Sequence, residues 1–140
     1  MNLTRAGEYA VRCVLFLSLH EPSEIVNRKK ISAAMDIPSQ FLSKIAQRLS
    51  RGGLIVITQG SKGGYQLLRA PEEITLLDVI ECVEGDIGLN TCILRPESCA
   101  RTPGCPVHEV WDKARNALRQ VLRAADFATL AAREKHSDSS

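Results

Sequence analysis

Behind Thr4, the residues Ala6, Tyr9, Ala10, Cys13 and Leu17 recur at three- and four-residue spacing. This pattern predicts a first helix capped by Thr4 and ended before the break at Glu21-Pro22-Ser23. Two shorter helices follow. Arg28 to Met35 turns Ile31 and Ala34 inward. After the turn Asp36-Ile37-Pro38, a second helix with Pro38 near its first position buries Phe41, Leu42, Ile45 and Leu49 and stops at Gly52-Gly53. Its opposite face presents Ser39, Gln40, Ser43, Lys44, Gln47, Arg48 and Arg51, all polar or basic. Two short helices joined by a tight turn, the second with such a face, make a helix-turn-helix arrangement.

The β-branched run Leu54 to Thr58, the glycine-rich Gln59 to Gly64 and the stretch Tyr65 to Leu68 predict a β-hairpin, with Gly63-Gly64 serving its geometry. Directly after a helix-turn-helix, a hairpin of this kind is a wing. Thr75 then caps a helix to about Glu84, with Leu76, Val79, Ile80 and Val83 inward and Gly85 as its stop. Pro106 opens a long helix on which Val107, Trp111, Ala114, Leu118, Val121 and Ala125 form a heptad seam, widened by Val110, Ala117, Leu122 and Ala124. A helix this apolar needs cover, and a second copy of the chain is the simplest partner.

The expected fold is therefore mainly α with a small β-hairpin: a winged helix-turn-helix plus a long C-terminal dimerisation helix. The expected division is a DNA-binding domain over 1–88, a cysteine-containing loop over 89–105, a dimerisation helix over 106–132 and a solvated tail over 133–140.

Charge turns the helix-turn-helix reading into a functional one. The whole chain carries only +2, but Arg28 to Arg69 holds eight basic residues against one acid, whereas Glu72 to Cys99 holds seven acids against one base. A basic helix face alone is more often just solvated. Here helix-turn-helix spacing, a glycine-tipped basic hairpin and +7 of local charge agree on double-stranded DNA. Gln40, Ser43 and Lys44 are expected at base edges, with Ser39 beside them, and Arg28, Lys29, Arg48 and Arg51 at phosphates. Gln59 and Lys62 place the wing on the backbone or in the minor groove. An enzyme is not expected, because the chain has no phosphate-binding loop, no dinucleotide fingerprint and no nucleophile–histidine constellation outside the cysteine loop. No small-molecule substrate is expected either.

The start of the chain lacks a signal-peptide pattern, and Val14 to Leu17 is too short to span a bilayer, so the expected location is the cytoplasm, with no membrane partner. There, five cysteines are expected as free thiols, metal ligands or redox sensors rather than structural bridges. Cys13 and Cys82 fall on predicted helices and read as structural. Cys92, Cys99, Cys105 and His108 share one loop with the spacing C-x6-C-x5-C-x2-H. Thiolates select zinc, copper(I) or iron–sulfur clusters, and the paired knuckles usual in structural zinc sites are missing. With Pro106 in the first helical turn, Cys105 becomes the N-cap, where free backbone N–H groups favour an anionic ligand, and His108 lies in the same turn.

In their order along the chain, Leu3-Thr4, Tyr9-Ala10-Val11-Arg12, Ile37-Pro38-Ser39 through Leu54, Gly60 to Tyr65, Thr75 to Ile80, and three cysteines before a long helix with Trp111 resemble the BadM/IscR/NsrR-type winged-helix regulators of bacteria. The resemblance implies a repressor that binds a palindromic operator as a homodimer through crossing C-terminal helices. It also implies an iron–sulfur cluster on the three cysteines that senses redox, nitric oxide or iron–sulfur status and controls operator affinity. A non-thiolate fourth ligand completes such clusters. His108 matches one branch of the family and Glu8, acting from the partner subunit, matches the other. A 2Fe–2S cluster with His108 is the first expectation and 4Fe–4S with Glu8 the second, since the six-residue first gap is longer than in the relatives. The alternative is a zinc-stapled or thiol–disulfide-switched DNA-binding protein without a cluster.

Overall fold

The computed structural model describes residues 3–87, 97 and 103–138. Among them are six α-helices and one two-stranded antiparallel sheet: α1 (Arg5–Ser18), α2 (Arg28–Met35), α3 (Ser39–Arg51), β1 (Ile55–Thr58), β2 (Gly64–Leu67), α4 (Leu76–Glu84), α5 (Pro106–Arg123) and α6 (Phe127–Asp138). A 3-10 turn at Pro71–Glu73 links β2 to α4. No helix among the described residues is long and apolar enough to cross a membrane.

The expected start signals operate as capping chemistry predicts. The Thr4 side chain accepts from the Gly7 N–H to open α1, and Thr75 with Asp78 forms a reciprocal capping box on α4. Gly85 ends α4 with a φ of 82°, a backbone conformation glycine adopts without steric cost. Asp36 does the same for the helix-turn-helix corner with a φ of 53°. The corner is closed by the Ile37 N–H donating to the Ser32 carbonyl at 3.0 Å and by the Ser32 hydroxyl donating to the Ile37 carbonyl.

Helix α1 is the centre of the domain, packed against α2, α3, α4, α6 and β2. Its Ala10, Cys13, Val14 and Leu17 meet Ile31, Ile37, Leu42, Ile45, Leu49 and Phe127 in one core. Burial pushes the Cys13 thiol up to about 12, so it is a small neutral core residue. The hairpin pairs Ile55 with Leu67 and Ile57 with Tyr65. A bridge from Val26 to Tyr65 ties it to the chain ahead of α2, with N–H to carbonyl distances of 2.8 and 2.9 Å.

Several sequence expectations shift. Ala34 is exposed, because α2 is short and is pinned through Ile31 alone. Phe41 is 45% exposed; its ring leans against Tyr9 at 6.0 Å on the flank of α3, and Ala46 occupies the buried stripe in its stead. Pro38 stands near the start of α3 as expected, as its N-cap. On α4, Leu77 joins the buried set, because this helix packs on two sides: Val79 and Val83 in the main core, Leu77 and Ile80 in a satellite cluster with Ile87.

The largest correction concerns the C-terminal region. The single helix expected over 106–132 is two helices, and the helix over 127–138 replaces most of the expected solvated tail over 133–140. At the break, the Leu76 N–H donates to the Ala125 carbonyl at 2.8 Å and the Phe127 N–H to the Ile74 carbonyl at 3.0 Å, a short bridge onto the segment that starts α4. Asp126 caps α6, accepting from the Thr129 N–H and hydroxyl at 2.9 Å each. Those bonds hold its carboxyl below its ordinary range. Phe127 then enters the main core fully buried. Thus α6 belongs to the same core as α1.

The heptad seam on α5 divides accordingly. Leu118 and Leu122 pack on the Leu77, Ile80 and Ile87 cluster. Arg119 pairs with Glu81 at 2.6 Å and the Arg115 Nε donates to the Ile87 carbonyl at 2.6 Å. The apolar residues left exposed are Val107, Val110, Trp111, Ala117, Val121 and Ala124, which with the half-buried Ala114 form one outward stripe on α5. The outward stripe therefore keeps Val107, Trp111, Ala114 and Val121 of the expected seam, whereas Leu118 and Leu122 turn to the satellite cluster.

Candidate nucleic-acid interface and cysteine loop

A groove of about 510 Å3 runs between the hairpin and the helix-turn-helix, lined by Asn27, Arg28, Lys29, Ser43, Gln47 and, from the hairpin, Ile57 to Ser61 and Gly63 to Tyr65. Asn27 builds its rim: as the N-cap of α2 its side chain accepts from the Lys29 N–H at 2.8 Å, so the basic Arg28-Lys29 pair starts the helix facing the groove. Arg28 donates to the Ser43 hydroxyl at 3.3 Å, and Ser43 donates to the Ser39 carbonyl at 3.3 Å. Burial raises the Tyr65 phenol, against the opposing effects of Arg28 and a hydrogen bond with Ser43. A neutral Tyr65 therefore ties the hairpin to both helices.

The expected DNA contacts divide into three groups. Arg28, Lys29, Ser43 and Gln59 line this groove. Ser39, Gln40 and Lys44 are exposed on α3, and Lys62 is exposed at the hairpin tip. Arg48 and Arg51 instead line a separate cleft toward α4, and Arg48 donates to the Val83 carbonyl at 3.2 Å. The site list drawn from the sequence missed Asn27, Gln47 and Tyr65. Asn27 had a legible signal, a capping residue immediately before a basic helix. Tyr65 had none, because its role depends on the Val26 bridge.

Of the cysteine constellation, Cys105 and His108 are described and Cys92 and Cys99 lie outside the described residues. Cys105 is the N-cap of α5, as its position before Pro106 predicts, and its thiol makes no capping hydrogen bond. It is free and partly exposed, one helical turn from His108. Glu8 is exposed in the first turn of α1. Among the described residues no three histidine, cysteine or acidic side chains gather around one point. A sulfur and an imidazole on one turn nonetheless suit a metal or iron–sulfur ligand pair.

Three hydrogen bonds connect the residues before the cysteine loop to the rest of the fold. The Glu84 carboxylate, at the end of α4, accepts from the Thr4 N–H at 2.6 Å and from the Thr4 hydroxyl, at the start of the helix that carries Glu8. A Cβ on Gly7 would lie 2.4 Å from the same carboxylate oxygen, so glycine permits this approach. On the other side, Arg115 of α5 holds the Ile87 carbonyl. The start of the loop is thereby linked to both α1 and α5.

Residues 3–133 match the family described as "Rrf2: Iron-dependent Transcriptional regulator". The chain is 35% identical over 131 residues to the HTH-type transcriptional regulator NsrR of Geobacillus kaustophilus, covering 93% of this chain and 89% of that protein. In fold it is similar to CymR (YrzC), the global cysteine regulator of B. subtilis, with a TM-score of 0.77, 23% identity and coverage of 94% and 97%. It is likewise similar to T. potens IscR, with a TM-score of 0.76, 22% identity and coverage of 98% and 90%.

Proposed function

The chain belongs to the Rrf2 family of DNA-binding transcriptional regulators, and we propose that it is a homodimeric repressor whose operator affinity is set by an iron–sulfur cluster on the loop between its winged domain and its dimerisation helix. The observation that carries this reading is the position of Cys105 and His108 at the N-terminal turn of α5, with Cys105 free and the residues just before the loop bonded to α1 and α5.

Cys92, Cys99 and Cys105 would hold the cluster, with His108 of the same chain or Glu8 of the partner subunit as the fourth ligand. When bound, the cluster supplies a centre that oxidants or nitric oxide can alter. A nitrogen or oxygen ligand is easier to lose than a thiolate, which suits a sensor. The chain's own part is mechanical: Arg115 and Glu84 transmit a change in the loop to α5 and to α1, against which α3 packs. Domain roles follow, with 1–88 reading DNA, 89–105 sensing and α5 dimerising through Val107, Val110, Ala117 and Val121.

Anaerobically purified protein is expected to be brown, to contain iron and sulfide, and to lose both on Cys99→Ala. Loss of the visible band on His108→Ala but not on Glu8→Ala selects the intrachain ligand. A colourless anaerobic preparation that stays colourless after reconstitution would falsify the cluster reading, and stoichiometric zinc in it would establish the zinc-stapled alternative.

Two palindrome half-sites are read by the α3 helices. Gln40, Ser43 and Lys44 face base edges, while Arg28 and Lys29 bind phosphates and the wing follows the backbone. Lys44→Ala is expected to relax sequence preference in a selection from random duplexes, at about 1–3 kcal/mol for the affected base. Arg28→Ala is expected to weaken all sequences alike and to reduce the slope of log K against log salt by about 1. Identical behaviour of the two variants would contradict this division of roles.

A further inference from the structure

A second cleft, of about 520 Å3, opens between the C-terminal end of α3 and α4 and shares no lining residue with the DNA groove. Arg48, Arg51 and Arg69 converge on it from α3 and from the chain after β2. The two acids at its edge are already engaged. Asp78 accepts from the Thr75 N–H at 3.0 Å in the capping box, and Glu81 binds Arg119 at 2.6 Å. The three arginines have no carboxylate partner among the described residues: Arg48 and Arg69 each donate to a neutral backbone carbonyl, Val83 and Glu73, and Arg51 makes no hydrogen bond or ion pair.

The floor of the cleft is apolar and closely built. Leu54 is buried there, and Gly52 leaves room for the Cys82 sulfur, which a Cβ on that glycine would approach to 2.4 Å. The Cys82 thiol donates to the Arg48 carbonyl at 3.3 Å. Burial pushes that thiol up, so it stands as a neutral wall.

We propose that this cleft binds a small polyanion, a molecule with two or more carboxylate or phosphate groups, and that its occupancy changes DNA affinity. Arginine forks match carboxylate and phosphate oxygens in pairs of hydrogen bonds, and the volume suits a metabolite-sized ligand. A DNA phosphate fits less well, because the cleft is concave and lies on the flank of α3 that faces α4. The coupling route is short. The ligand would bridge the end of the recognition helix to α4, whose Glu81 lines the cleft and holds Arg119 of α5.

The test titrates the full chain with pyrophosphate and with citrate at constant ionic strength, by calorimetry. Saturable binding of at least one is expected, with a Kd below about 1 mM, weakened at least about tenfold by Arg51→Gln with Arg69→Gln. Arg51→Lys with Arg69→Lys, which keeps the charge but loses the fork, is expected to weaken it too. Arg133→Gln with Lys135→Gln, the same change of charge at exposed positions of α6, is expected to leave it unaltered. The preferred anion identifies phosphate or carboxylate as the ligand chemistry, and a saturating amount is expected to shift DNA affinity at least about threefold relative to chloride at equal ionic strength. The proposal is overturned if neither anion binds saturably, if the glutamine pair binds like the parent, or if DNA affinity is unmoved. It is overturned as well if the glutamine pair leaves anion binding alone and only flattens the salt dependence of DNA binding, which would make the cleft a DNA-backbone contact. Circular dichroism of each variant against the parent confirms that the fold is retained.

Discussion

Val110→Asp together with Val121→Asp is expected to turn the proposed dimer into a monomer and to lower affinity for a two-half-site operator at least about 100-fold. The two side chains are 61% and 69% exposed, so they contribute little to the fold of their own subunit. In a symmetric dimer each meets its own seam across the two-fold axis, and four buried, unpaired carboxylates would oppose association. Binding two linked half-sites gains about 10²–10⁴ over one through effective concentration alone, and a monomer loses that gain. Light scattering after size exclusion reads the mass, and titration of the operator reads the affinity. A variant that remains dimeric would remove the α5 seam from the interface, whatever its DNA affinity.

Phe127→Ala is expected to cost about 3–5 kcal/mol, the usual range for deleting a fully buried phenylalanine. For a chain of this size that corresponds to a Tm lower by roughly 10–17 °C. Phe127 is fully buried in the core that α1 organises, and its N–H donates to the Ile74 carbonyl, which holds the start of α6 against the segment leading into α4. Were the C-terminal region one continuous helix reaching away from the domain, the same substitution would be nearly silent. Urea unfolding therefore tests the break itself: a loss under about 1 kcal/mol would mean that α6 does not dock. The protein should be compared at equal concentration, because a dimer's apparent stability depends on it.

Local chemistry made most of the winged domain legible. Thr4, Thr75, Gly85 and the Asp36-Ile37-Pro38 corner act within one or two turns of their own position, so the residues that cause each boundary adjoin it. The core stripes of α1 and α3 were legible for the same reason, since helical spacing puts their apolar residues on one side. Phe41 and Ala34 departed from this pattern at the flanks, where the neighbouring element decides whether a side chain is covered. The basic charge of residues 28–69 marked the segment that lines the groove and the second cleft but not which member lines which. Arg28 and Lys29 turned out to line the groove and Arg48 and Arg51 a different cleft, although all four look alike in the sequence.

The C-terminal half shows the limit most clearly. From Val107 to Ala125 the apolar period is consistent with a single long helix, and the Asp126 cap with Thr129 is a short signal easily outweighed by that run. The break depends on a backbone bridge to residues 74–76, about fifty positions earlier, and on a core cavity shaped for Phe127. The sequence by itself determined the caps, the helical faces, the hairpin and the concentration of charge and thiols, because each arises from residues close together in the chain. Tertiary structure alone decided where α5 ends, which of its apolar residues face solvent and which arginines share a cleft, because those outcomes depend on contacts between segments whose separation no local pattern encodes.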